Sequence, residues 1–165
     1  MQNAYQDLEN AIEKFTQKLN ETTEKIEAID EKLKEVRSEL EPLETEVLEL
    51  SSAIRREERR LHEKLNKAKR VRKRFLEAET DREMETLERD YDILMKEVHT
   101  LDKELAEMRE KLEKLSDKED KLLSKEIALE EEKAELYHER ERIISQVERL
   151  CKNLRTTLSR VKRER

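Results

Sequence analysis

Three histidines, one cysteine and a large supply of carboxylates, amines and guanidinium groups are the side chains of this sequence that could do acid–base, nucleophilic or metal chemistry. A metal site needs ligands one helical turn apart or converging from packed elements. His62, His99 and His138 lie far apart along the chain and fall on outward-facing positions of the repeat described below. They read as solvated surface histidines. Cys151 has no second cysteine to pair with and no histidine near it in sequence. It reads as a half-shielded thiol beside an apolar seam, in a reducing intracellular compartment. A phosphate-cradling loop needs glycine, and the sequence has none. Paired acids are plentiful, but an extended rod offers no concave pocket to shift their pKa values or exclude water. No catalytic residue, metal or cofactor is expected, and the chain does not read as an enzyme.

The remaining chemistry is electrostatic. Residues 1–54 hold fourteen acidic and six basic side chains, whereas 55–75 hold eleven basic and three acidic. Residues 77–92 are again acidic, eight against two, and 149–165 are basic, seven against one. Such blocks are longer than the screening length of about 8 Å in physiological salt, so a partner senses each as a separate patch. Arg55, Arg56, Arg59, Arg60, Lys69, Arg70, Arg72, Lys73 and Arg74 form a candidate anion-binding patch. Its fitting partners are an acidic helix or the acidic surface of a microtubule. Asn66 and Arg74 have the spacing of the contact residues of a basic leucine zipper, but Lys69 and Arg70 stand where that pattern has alanines. The leucine seam beyond Arg74 is also out of step, which leaves nucleic acid as the weaker alternative.

What element must carry these residues? Charged side chains make up 48% of the chain and hydrophobic ones 34%, with one proline and no tryptophan. That composition excludes a compact globule and leaves a disordered polyelectrolyte or a long helix. Periodicity separates the two. A helix that wraps another needs apolar residues alternately three and four apart, the a and d sites of a heptad. From residue 5 the a sites read Tyr5, Ile12, Leu19, Ile26, Leu33, Leu40, Val47 and Ile54. The d sites between them read Leu8, Phe15, Thr22, Ile29, Val36, Leu43 and Leu50. Disorder would not keep that phase over seven heptads. Pro42 falls on an outward site inside this run, where it removes one backbone donor at about 3 kcal/mol. Because the phase is the same on both sides of it, the expectation is a kink in a continuous seam.

From Glu57 to Ala78 the seam weakens, with Glu57 and Lys64 on d sites. Past Ala78 the apolar stripe resumes two residues late, at Leu87. It then holds through Leu94, Leu101, Met108, Leu115, Leu122, Leu129, Leu136, Ile143 and Leu150 on d sites. The matching a sites begin with Tyr91, Val98, Leu105 and Leu112, then turn charged at Glu119, Glu126, Lys133 and Arg140. Thr80-Asp81-Arg82-Glu83 matches a helix-starting capping box, as does Ser116-Asp117-Lys118-Glu119. The phase jump is read as a hinge or skip between collinear segments in preference to a hairpin tip, since Glu77 to Arg82 contains no Gly, Asn or Pro.

The expected organisation is therefore all-α, an extended coiled coil of one continuous helix or two collinear segments. It divides into 1–78, a register break or hinge at 79–86, and 87–165 with its basic tail. No apolar run is long enough to span a bilayer. In a parallel homodimer Glu119, Glu126, Lys133 and Arg140 would each meet their own copy in the core. The sequence therefore favours another coiled-coil chain, or antiparallel pairing, with these four charges selecting the partner. In composition the chain resembles the coiled-coil rods of centrosomes, cilia and other cytoskeletal assemblies. That resemblance implies a rod, spacer or docking element in the cytoplasm or cytoskeleton.

Overall fold

A computed structural model describes residues 2–164 of the chain. Two helices account for nearly all of them: α1, Gln2–Glu77, and α2, Asp81–Arg163. Among the described residues there is no strand. Helix α1 runs unbroken through Pro42, with Leu40 buried and Leu43 and Val47 half-buried in the expected phase. Backbone bonding on either side of the missing donor, together with the covered seam, holds the helix there.

The break falls within residues 78–80, narrower than the expected 79–86, because residues 81–86 are already helical. At the end of α1 the Ala78 amide donates to the Phe75 carbonyl at 3.3 Å, a tightened last turn. Thr80 then caps α2. Its Oγ1 accepts from the Glu83 amide at 3.2 Å and its carbonyl accepts from the Met84 amide at 3.1 Å. Asp81 and Glu83 in the first turn of α2 favour its positive end. The second capping-box match, at Ser116, lies in the middle of α2 and starts nothing.

The chain divides into two compact units. One is Leu40–Lys121, which contains the connection at 78–80; the other joins Met1–Glu39 to Leu122–Arg165. In the first, Lys64 pairs with Glu97, and Arg109 with Glu58 at 3.1 Å. In the second, Arg37 pairs with Glu130 at 2.9 Å, and Lys133 with Asp30. In each unit an earlier residue of α1 meets a later residue of α2, so the two segments run antiparallel. The all-α reading and the break near 78 hold. The segments are not collinear, however: the break is a hairpin turn. No described residue has a positive φ, so the turn needs no glycine or asparagine. A three-residue link ending in an N-cap threonine suffices.

The core of each unit is the line where its two segments meet. Leu40, Ile54, Ala68, Val98, Leu101, Leu105 and Leu115 are buried in one; Ile26, Ile29, Leu33, Val36, Leu129 and Ile143 in the other. All lie on a or d sites, and burying them is the main stabilisation of the pair.

Candidate functional site

The register along each unit follows from its ion pairs. Arg37–Glu130 and Glu58–Arg109 both join the residue just after a d site on α1 to the equivalent residue on α2. Reversing one helix brings equivalent flanks together, so this is the pairing of an antiparallel coiled coil. It sets each a site of one segment opposite a d site of the other. Phe75 and Leu87, for example, line one groove.

Most seam residues assigned from the sequence lie on this line. Ile26, Leu33, Leu40, Ile54, Leu101, Leu115, Leu129 and Ile143 are buried, and Leu19, Val47, Leu87, Leu94, Leu122, Leu136 and Leu150 are half-buried. Ile12 is exposed, as are Tyr5 and Val161. The seam is thus less covered at residues 5–12 and at 161 than in its middle. Thr22, the polar d site, is buried without penalty because its Oγ1 donates to the Lys18 carbonyl at 2.8 Å.

The charged a sites of α2 find a different solution from like-charge pairing. All four are half-buried. In their own units the register sets Glu119 opposite Leu43, Glu126 opposite Val36, Lys133 opposite Ile29 and Arg140 opposite the small Thr22. No charge meets its own kind, and the long side chains can lie along the seam with their heads toward water. Lys133 shows how. Its ammonium reaches across to Asp30 and stands 5.9 Å from the centre of the Tyr137 ring. The hydrogen bond to Asp30 raises the Lys133 pKa above the ordinary lysine value. Glu57, a charged d site, is less well served: Arg60 bonds one carboxylate oxygen at 3.4 Å, while Oε2 is buried with no partner.

The basic block divides by face. Lys64 pairs with Glu97, and Lys67 and Arg74 line a groove with Asp90 of the acidic run. Arg72 likewise shares a groove with Glu88. Arg60 is held by Glu57 of its own helix. On the outward face Arg55, Arg56, Arg59, Lys69 and Lys73 are exposed, and among the described residues they make no ion pair, whereas Arg70, also exposed, lines the Asp90 groove with Lys67 and Arg74. Folding therefore turns one side of the block toward acids within the chain and leaves the other as an uncompensated positive stripe.

His62, His99 and His138 are exposed, on the faces expected. Among the described residues no group of three or more His, Cys, Asp or Glu could hold a metal ion. Cys151 is exposed, not half-shielded, because on its flank the equivalent α1 position is a short threonine, Thr16. No described helix is long and apolar enough to cross a membrane. The grooves between the helices are open along their length and lined by mixed charged and apolar residues. No protein family, curated protein or solved structure matches the chain.

Proposed function

We propose that this chain is a structural scaffold, a coiled-coil element that spaces or docks other proteins in a cytoskeletal-type assembly such as a centrosome or cilium. The observation that carries this reading is the self-covered seam. With α1 and α2 closing each other's apolar stripes, each unit is a preformed double helix whose outer surface is mostly charged, with exposed apolar residues such as Leu48 and Ile144 among the charges. A paired helix is stiffer than a single one, so groups attached along it keep a set separation. The outer charges then select what binds, as side chains on the rim of an interface do. The test is imaging of the fluorescently tagged chain in cells. The expected result is concentration on a cytoskeletal structure that persists after detergent extraction, and a diffuse, extractable signal would overturn the reading.

The positive stripe Arg55, Arg56, Arg59, Lys69 and Lys73 favours a second reading, in which the chain binds an acidic filament such as a microtubule. Co-sedimentation with microtubules that falls steeply between low and physiological salt supports it. Retention on duplex DNA or RNA in the same salt, with no sedimentation, would turn the stripe into a nucleic-acid surface instead.

A further inference from the structure

In the unit that joins Met1–Glu39 to Leu122–Arg165, the two flanks of the seam differ in kind. On one flank Lys25 and Lys32 of α1 line an open groove with Glu132 and Glu139 of α2, so charges of both signs face each other there. On the other flank α2 presents Tyr137, Ile144, Cys151 and Leu158 at strict seven-residue spacing. Tyr137 is 43% exposed, Ile144 40% and Leu158 54%, and Cys151 is exposed. The equivalent positions of α1 beside the middle of this stripe are Thr16 and Thr23, which carry no charge. Thr23 Oγ1 donates to its own Leu19 carbonyl, so the hydroxyl is satisfied within the helix. In a chain of which 48% is charged, the middle of this stripe, Ile144 and Cys151 beside Thr23 and Thr16, is an uncharged helix-binding surface, while at its ends Tyr137 lies beside Asp30 and Leu158 beside Glu9. A seven-residue repeat is what a second helix in a shallow left-handed crossing would cover.

We infer that this stripe binds the same stripe of a second copy of the chain, antiparallel, across a two-fold axis lying between Ile144 and Cys151. The occupant follows from the neighbouring charges. The axis sets Tyr137 against Leu158 of the second copy and Ile144 against its Cys151, so all four stripe residues of each copy are covered. Next to the stripe on the outer side stand Glu141, Glu148 and Arg155, of which Glu141 and Arg155 are both exposed. The antiparallel axis brings Glu141 of each copy beside Arg155 of the other, which makes two complementary pairs and leaves one Glu148–Glu148 meeting. A parallel arrangement would match Glu141, Glu148 and Arg155 each with its own kind. Such a self-complementary patch closes on itself as an isologous dimer. The inference stands independently of the scaffold reading, because it concerns only self-association.

The experiment is light scattering after size exclusion on the whole 165-residue chain, with sedimentation equilibrium to give a dimer Kd. The expected mass is twice 20.0 kDa. Ile144→Glu should weaken the dimer by roughly a hundredfold or more, while helix content by circular dichroism stays unchanged because Ile144 is a surface residue. Glu141→Arg and Arg155→Glu should each weaken it by roughly tenfold, and the double reversal should restore it. The two Cys151 thiols lie one heptad apart in this arrangement, about 10 Å along the axis, too far for a disulfide. A monomer at all concentrations up to about 0.1 mM, where even weak specific dimers associate, overturns the inference. So does a dimer indifferent to Ile144→Glu or to the charge reversals, and so does ready formation of a Cys151–Cys151 disulfide.

Discussion

Two leucines on the same helix allow the seam to be tested with the chemistry held constant. Leu33 is 2% exposed on the seam of α1, opposite the buried Leu129, whereas Leu48 is 70% exposed on its outer face. Leu33→Ala removes three buried carbons, and at about 0.8 kcal/mol each the transfer loss is about 2.4 kcal/mol. A cavity adds to this, but two helices can close on it more easily than a globular core can, so the total should be about 3 kcal/mol. Leu48→Ala removes the same atoms from a site already mostly in water, and alanine is the better helix former. Its effect should stay within about 0.5 kcal/mol. The assay is urea unfolding followed by circular dichroism at 222 nm, with wild type and both variants at one concentration. A difference of about 2.5 kcal/mol corresponds to roughly seventyfold in the folding equilibrium, well outside error. Equal losses, or a negligible loss for Leu33→Ala, would refute the register and with it the antiparallel pairing.

Other expectations follow from single groups. Thr80→Ala should destabilise α2 at the turn by about 1 kcal/mol, and Thr80→Asp should restore it; thermal melts of the three proteins check the cap. Glu57→Leu should stabilise the chain by about 1 kcal/mol, because it removes a buried carboxylate oxygen with no partner and adds apolar area to the seam. A lower urea midpoint for that variant would show the carboxylate to be satisfied in solution. The Lys133 pKa is raised in the folded state, so its contribution to stability is fully present below the unfolded lysine value near 10.5. It is lost as pH rises through the higher folded value. Lys133→Met should therefore abolish part of the stability loss that wild type shows above that pH, as followed by urea midpoints across alkaline buffers.

How much of this was legible beforehand can be read from particular residues. Ile26, Ile29, Leu33, Val36 and Leu40 lie on the seam because apolar residues at alternating three- and four-residue spacing bury only one way on a helix. The half-buried Glu119, Glu126, Lys133 and Arg140 were visible as charged a sites for the same reason. The Thr80 capping box marks a helix start in the sequence, but an equal match at Ser116 does not, since nothing local distinguishes a used cap from an unused one. The two-residue phase jump was visible too, and its meaning was not. In a continuous coiled coil a jump is strain, whereas across a turn the second helix starts anew and owes no phase to the first.

The sequence by itself determined that the chain is helical, where each helix carries its apolar stripe, and that the stripe must be covered. Heptad periodicity is a local property, and composition forbids any other core. Only the tertiary structure decided what does the covering. An a/d stripe is satisfied equally by a second chain, a copy of itself or its own other half, because burial has no direction. The choice rests on terms the one-dimensional pattern leaves open. A three-residue turn without glycine makes the reversal, and Asp30–Lys133, Arg37–Glu130, Glu58–Arg109 and Lys64–Glu97 hold its register. Pairs separated by 33 to 103 residues become neighbours only once the chain has turned back at 78–80.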